Sequence, residues 1–468
     1  MITRRNFIKS TAALGGLMFL PSCATKKIRN INGKMNIAVV GAGGMGYAVF
    51  RYIKGQDNVN VVAICDVDEN RAAKAIKENP NVPFFRDYRV MFDKVGNQID
   101  GVAVSTPDHM HYAISAWAIA NGKHVFCQKP LTRTIWEANE LKRLSEEAGV
   151  FTQMGNQGHT NEGWRLIKEW YEAGLLGEIE DIYIWTNRPI WPQGDLRMPA
   201  GEKVPATLDY KGWLGVAPYQ PYSHDVIPFK WRGMRNYGTG ACGDMACHFL
   251  DVPYSAFNLG FPSEVVANST KFNDYSWPKA SSADMTFLNP RGVGGKIKLH
   301  WYDGGRKPKA IKGVDEAFLQ DKRNANATFI VGTKCTVHTN EYGMPSVTYV
   351  YPKTKMREML MAAKEKTGKP ELVAPSIERS TNPNNPLMEW VNACHAGKNP
   401  QGNFSYAAPF TEMCLLNMIA INFPNEPLQY DAQKMAFINK PEATKYVRSL
   451  YNFNQEFLPS KVDFSHIG

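Results

Sequence analysis

Met35 to Val40 is a short apolar run with β-branched residues, and it leads straight into Gly41-Ala42-Gly43-Gly44-Met45-Gly46. Glycines spaced G-x-G-x-x-G between a strand and a helix leave few folds open. The first glycine permits a tight turn, the second lets backbone approach a diphosphate, and the third lets the helix pack on the strand. The anion then rests on the helix N-terminus, where free N–H groups and the helix dipole favour negative charge. Gly41, Gly43, Gly44, Met45 and Gly46 are therefore cofactor-binding candidates.

The downstream sequence agrees with this reading. A second strand, Val59 to Ile64, runs to Asp66, which lies 20 residues after Gly46. An acid there would hydrogen-bond the adenosine ribose hydroxyls and oppose a 2′-phosphate, which favours NAD over NADP. The plainer reading of Asp66 is a turn or helix-capping residue. A third strand, Ile99 to Val104, ends in Ser105-Thr106-Pro107-Asp108-His109-Met110-His111, and a fourth, Lys123 to Cys127, ends in Gln128-Lys129-Pro130. Strands and helices alternating at this spacing specify a parallel, doubly wound α/β sheet. Ligands bind beyond the carboxyl ends of such strands, so Ser105, Thr106, Pro107, His111, Gln128 and Lys129 are expected beside the cofactor. A capping or packing role is the alternative for His111, whereas His109 is placed to reach a substrate.

A chain of 468 residues exceeds what one hydrophobic core serves, so two domains sharing a cleft are expected. Its 44% hydrophobic against 21% charged residues exclude a largely disordered chain. Residues 1–34 form an export signal and linker, 35–155 the dinucleotide domain, 156–384 a substrate and oligomerisation domain, and 385–468 C-terminal helices packing across both. Alternating stretches at Ser263 to Asn268, Ser282 to Leu288, Gly295 to Trp301, Ala327 to Val331 and Cys335 to Thr339 read as a sheet. Gly155-Asn156-Gln157-Gly158-His159 marks the domain junction and makes Gln157 and His159 substrate candidates.

Thr3-Arg4-Arg5-Asn6-Phe7-Ile8-Lys9 followed by the apolar run Thr11 to Leu20 reads as a twin-arginine export signal. The apolar run is too short to span a bilayer. Cys23 sits where a lipoprotein signal places its acylated cysteine, with simple cleavage as the alternative. The expected location is the periplasmic side of the cell envelope, with membrane attachment only through that lipid. Loss of Arg4, Arg5 and Lys9 with the signal lowers the formal charge of +10 by three, to +7. No Lys/Arg block remains that would read as a nucleic-acid face. The seven cysteines other than Cys23 are scattered and odd in number, which is no disulfide framework; most suit core packing.

Four patterns in order resemble the glucose–fructose oxidoreductase and inositol dehydrogenase family, Gfo/Idh/MocA. They are Gly41 to Gly46, Ser105-Thr106-Pro107 with His111, Lys129-Pro130, and Gly243-Asp244-Met245-Ala246-Cys247-His248 with Asp251. One departure is Gln128, where many members carry Glu. The resemblance implies a Rossmann-like domain followed by an α+β domain with a large open-faced, mostly antiparallel sheet, and assembly as a homodimer or homotetramer through that sheet. It also implies redox chemistry on sugars, polyols or their derivatives.

Oxidising an alcohol carbon needs a group to take the hydroxyl proton and a charge that favours the developing alkoxide. Lys129 and His248 can divide that work, with His248 as the base and Lys129 as the electrostatic partner; in some relatives of the family the lysine is the better candidate for proton transfer. Asp244 stands four residues before His248, on the same helix face, and is expected to support it or to bind a substrate hydroxyl. Cys242, Cys247 and His248 are ligand types whose spacing fits no zinc pattern, so no metal is expected. Between Ile182 and Tyr237 the chain is dense in aromatic and basic residues, including Arg188, Trp191, His224, Trp231 and Arg232. Trp191, Trp231 and Arg232 suit the apolar faces and edging hydroxyls of a sugar ring, and equally suit packing onto their own domain.

Three functions follow. The first is an exported sugar, polyol or glycoside dehydrogenase that keeps its NAD bound. The second is a redox-neutral glycosidase that oxidises, eliminates and re-reduces; it escapes the need for a soluble dinucleotide supply outside the cytoplasm. The third, a sugar-binding lipoprotein without chemistry, fits poorly with so many reactive residue types in place.

Overall fold

The computed structural model describes residues 33–343, 349–351, 353–368, 372–449 and 451–460. The export signal and Cys23 lie outside these residues. The first domain runs β1 (Met35–Val40), α1 (Tyr47–Tyr52), β2 (Val59–Cys65), α2 (Glu69–Glu78), β3 (Phe84–Phe85), α3 (Tyr88–Val95), β4 (Gly101–Val104), α4 (Asp108–Ala120), β5 (His124–Cys127), α5 (Ile135–Ala148) and β6 (Thr152–Met154). The strands form one parallel sheet in the order β3-β2-β1-β4-β5-β6. Because both faces are covered, β4 and β5 are buried at every position, as the apolar sequence of β4 and the Val125-Phe126-Cys127 run of β5 require.

Local chemistry sets the helix starts. Asp68 caps α2 by accepting from the Asn70 N–H, and Asp87 caps α3 by accepting from the Arg89 N–H. Thr134 and Glu137 form a reciprocal capping box on α5, which ends at Gly149 in the left-handed conformation.

The second domain contains α6 (Gly163–Glu172), β7 (Ile179–Trp185), α7 (Tyr210–Leu214), α8 (Gly240–Phe249), α9 (Asp251–Phe257), β8 (Glu264–Ser269), β9 (Ser281–Leu288), β10 (Lys296–Tyr302), α10 (Glu316–Gln320), β11 (Ala327–Gly332), β12 (Thr336–Thr339), β13 (Tyr349–Tyr351) and α11 (Lys353–Thr367). Its seven strands lie in the order β13-β12-β11-β7-β10-β9-β8. Only β7 and β10 pair in parallel; the other neighbours are antiparallel. Along β10, Ile297, Leu299 and Trp301 are buried while Lys296 and Lys298 are exposed, so at this strand one sheet face joins the core and the other looks outward; at β11 both faces are covered, Phe329 and Val331 packing with Trp185, Ile311 and Leu319. The strand β7 is the correction here. The sequence assigns no strand here and places Ile182 to Trp185 at the start of the aromatic and basic stretch, yet Ile179–Trp185 sits in the middle of the sheet with Ile179, Ile182, Ile184 and Trp185 buried.

Two C-terminal helices, α12 (Pro386–His395) and α13 (Phe404–Ala420), are followed by a short antiparallel pair, β14 (Tyr430–Asp431) and β15 (Ala436–Phe437). Trp390 of α12 sets its ring at a tilt 6.0 Å from that of Phe126 of β5 and donates its indole N–H to the Phe151 carbonyl at 3.2 Å. Helix α13 lies against α5 and α8, so it bridges elements of both domains. Among the described residues no helix is long and apolar enough to cross a membrane.

Candidate active site

The carboxyl ends of β1, β2, β4 and β5 open onto a cleft of about 580 Å³ whose opposite wall comes from the second domain. At one end stands the glycine turn. Gly41 adopts φ +82°, and a side chain on it would press on the Ser105 carbonyl at 2.6 Å. A Cβ on Gly46 would fall 1.7 Å from the Gly41 oxygen, so the third glycine is demanded by the turn itself. Asp66 lies beside it: its Oδ2 accepts from the Ala42 N–H at 2.8 Å and its Oδ1 from the Asp68 N–H at 3.0 Å. Burial pushes the Asp66 carboxyl up, against the lowering effect of these backbone donors. Arg71 reaches over Gly43 and Gly44, adding a cation next to the turn.

This end fits a dinucleotide. Ser105 Oγ and Thr106 Oγ1 line the cleft and are buried with no hydrogen-bond partner among the described residues. Buried polar atoms in that state are costly unless a ligand satisfies them. Met45, Pro107, His111 and Gln128 also line the cleft, as expected.

The far end is built from ions. The Lys129 ammonium donates to Asp244 twice, to the backbone carbonyl at 2.8 Å and to Oδ1 at 2.9 Å. Arg232 brings Nε to the same Asp244 oxygen at 3.0 Å, and its guanidinium lies 4.4 Å from the Trp231 ring centre and 5.6 Å from that of Trp191. Burial alone would raise the Asp244 carboxyl, but Lys129 and Arg232 hold it below the usual carboxylate range. His248, one helical turn on, lines the cleft with Nδ1 buried and unpartnered. Desolvation, reinforced by Lys129, lowers its pKa well below the usual value, so the imidazole is neutral. Asp244 therefore supports Lys129 and Arg232 by direct bonds, where the helical spacing alone had suggested His248.

His111 carries a charge. Its Nδ1 lies 2.9 Å from the Pro130 carbonyl and its Nε2 2.9 Å from the Thr106 carbonyl. Carbonyls only accept, so both ring nitrogens must bear hydrogen. Burial opposes that state, but Cys127, Asp108 and the carbonyl partner outweigh it and raise the imidazolium pKa to about 9.

Two expectations are corrected. His109 does not reach the cleft: it is fully buried, with Nε2 2.9 Å from the Trp213 carbonyl, and burial drives its pKa down to about 3. The cause is its position on α4, one residue round from the cleft-lining Asp108. His159 is likewise buried away from the cleft, where its Nδ1 meets Asp251 Oδ1 at 3.0 Å and its ring stacks on Trp164. Gln157 does line the cleft. Trp191 and Trp231 line it too, mostly buried, and serve as the bed for Arg232. Cys242 and Cys247 are packing residues with thiols raised by burial; Cys247 donates to the Gly243 carbonyl at 3.4 Å.

Two residues escaped the sequence reading as site residues. Arg188, noted only as part of the basic and aromatic stretch, projects into the cleft from the segment after β7. Tyr342 follows β12 and sets its ring edge-on to His248, centre to centre 5.1 Å. Nothing in Asn340-Glu341-Tyr342-Gly343 signals that placement.

Comparison with known proteins agrees with the fold. Residues 35–156 match the model of the Gfo/Idh/MocA oxidoreductase family's NAD-binding Rossmann fold, and residues 180–261 match that family's C-terminal alpha/beta domain. A 2,7-anhydro-N-acetylneuraminate hydratase of Mediterraneibacter gnavus is 23% identical over 60% of this chain and 71% of its own length. A levoglucosan dehydrogenase of Pseudarthrobacter phenanthrenivorans is 24% identical over 62% of this chain and 65% of its own. The solved WlbA dehydrogenase of Bordetella pertussis, in complex with NADH and UDP-GlcNAcA, superposes with a TM-score of 0.57 at 17% identity, covering 85% of this chain and 98% of that one. With its glycine turn, its Lys129-Pro130 pair, the match over the first domain and the match over residues 180–261 of the second, the chain belongs to the Gfo/Idh/MocA family of oxidoreductases.

Proposed function

We propose that this protein oxidises a hydroxyl group of a carbohydrate, using a tightly held NAD. The observation that carries the reading is the single cleft that brings the glycine turn and Asp66 together with Lys129, Asp244, Arg232 and His248. The nicotinamide, when bound, supplies the hydride acceptor. Asp66 favours NAD over NADP, because its carboxylate would repel a 2′-phosphate.

The chain's own part is to hold the alcohol and move its proton. Lys129 keeps one ammonium proton free after its two bonds to Asp244, and its charge stabilises the alkoxide as the C–H bond breaks. Neutral His248 offers one ring nitrogen's lone pair and accepts the hydroxyl proton directly or through Lys129. Low solvent access at this end strengthens each of these interactions.

A redox-neutral cycle is the second reading, favoured by the similarity to a 2,7-anhydro-N-acetylneuraminate hydratase. A ketone made at one sugar carbon acidifies the neighbouring C–H. Loss of that proton expels the β-substituent as an alcohol, water adds to the resulting double bond, and the hydride returns to the ketone. Export by the twin-arginine route, with Cys23 acylated, fits such a cycle because no free dinucleotide is consumed. Assembly through the open face of the second sheet completes the proposal.

The test is to incubate purified protein with a panel of glycosides and no added dinucleotide, then analyse the products. A keto sugar or lactone supports the dehydrogenase, a released free sugar supports the redox-neutral cycle, and unchanged substrates throughout would overturn both. Cell fractionation of wild type and Cys23→Ser tests the anchor: the variant should move from the membrane to the soluble envelope fraction.

A further inference from the structure

The reaction end of the cleft carries more positive charge than its own acids neutralise. Lys129, Arg188 and Arg232 line it, against the carboxylates of Asp108 and Asp244. Both acids are already engaged. Asp244 Oδ1 takes Lys129 and Arg232, and Asp108 Oδ2 takes the Thr239 N–H at 3.1 Å and its hydroxyl at 2.8 Å. Asp108 Oδ1 lies 3.8 Å from Arg232 Nη1, too far for a hydrogen bond.

Two guanidinium donors are left over. Arg232 Nη1 is buried in the cleft wall with no hydrogen-bond partner among the described residues. Arg188 donates from Nη1 to the neutral Asn187 amide oxygen at 2.6 Å, and among the described residues no carboxylate forms an ion pair with it. It stands near enough to His248 and Tyr342 to act on both electrostatically. A bound oxidised nicotinamide would add another positive charge at this end. A neutral sugar would leave this field uncompensated, whereas a planar carboxylate matches the arginine fork.

We infer that the carbohydrate this site takes is an acidic one, a uronate or related sugar acid, with its carboxylate held by Arg188 and the unpaired Nη1 of Arg232. Arg188 is thus a specificity-determining residue, distinct from the groups that move the proton. The inference rests on the proposed oxidoreductase reading for its chemistry, but it concerns recognition and can be measured as binding.

The experiment is titration calorimetry on the protein loaded with NAD, using matched pairs: D-glucuronate against D-glucose, and D-galacturonate against D-galactose, with glucose 6-phosphate as a third arm. One charge-assisted pair corresponds to an affinity ratio of about 10 to 100, so the uronates should bind tighter by that factor. Arg188→Gln should collapse the ratio to near one, and Arg188→Lys should restore part of it; equal melting temperatures confirm that both variants are folded. Equal binding of uronate and neutral sugar, a preference that survives Arg188→Gln, or tighter binding of the phosphate than of either uronate would overturn the inference. Absorbance of reduced cofactor in the same samples separates the two claims. Reduction by neutral sugars as readily as by uronates sinks the inference and leaves the oxidoreductase reading intact. Uronate binding without reduction by any sugar sinks the oxidoreductase reading while the recognition stands.

Discussion

The two ends of the cleft are made in different ways. At the phosphate end the work is done by backbone: a turn that tolerates no Cβ at Gly46, and an acid, Asp66, that ties the turn to the end of β2. At the reaction end it is done by charge, with Lys129 from the β5 terminus, Asp244 and His248 from α8, and Arg188 and Arg232 from the long segment after β7. A backbone site is local and tolerates few substitutions. A charged site is assembled from distant segments and is held by mutual neutralisation.

This contrast can be broken most severely at Lys129. Lys129→Ala removes the group that faces the alkoxide and leaves Asp244 with Arg232 alone. Turnover should fall by about a thousandfold or more, roughly 4 kcal/mol of transition-state stabilisation, while NAD affinity at the other end changes little. Steady-state rates and dinucleotide titration on one preparation check both halves of that statement.

The opposite break is Gly46→Ala. Its Cβ would collide with the Gly41 carbonyl, which cannot move without opening the turn, so a loss of up to about 3 kcal/mol in stability is expected. Dinucleotide binding should vanish with it, as measured by thermal denaturation with and without NAD.

How much of each end could be read in advance follows the same division. The glycine turn, Asp66 and the strand termini near Val104 and Cys127 were legible because each reports a local backbone demand: a left-handed φ, an apolar run, a turn residue. The open, mostly antiparallel second sheet was anticipated through the family resemblance and most of its alternating strands. β7 was missed because Glu180 and Asp181 interrupt its apolar sequence, while burial of Ile179, Ile182 and Ile184 depends on neighbours that come more than a hundred residues later. The pairing of Asp244 with Lys129 bridges 115 residues and has no local signature. His109 illustrates the converse error: a polar residue beside a strand end looked reactive, and a neighbouring helix position turned it into the core.

A milder probe uses pH. The His111 imidazolium is raised from 6.5 to about 9 in the fold. Its contribution to stability is therefore fully present below about pH 6.5 and is lost as pH rises through about 9, on the order of 3 kcal/mol. Urea denaturation across that range should show the decline, and His111→Gln should flatten it. The smallest expected effect is at Asp66. Asp66→Asn keeps an acceptor for the Ala42 N–H but weakens the hold on the ribose, which should cost about tenfold in NAD affinity, roughly 1 kcal/mol, and narrow the preference for NAD over NADP.

The central claim is that a sugar carbon and a nicotinamide meet beside Lys129. Its most direct measurement is a single-turnover incubation of NAD-loaded protein with a uronate deuterated at each ring carbon, followed by mass analysis of the dinucleotide. The account predicts one deuterium carried on the reduced nicotinamide in wild type and none in Lys129→Ala. A dinucleotide that stays unlabelled while the sugar is transformed would contradict it.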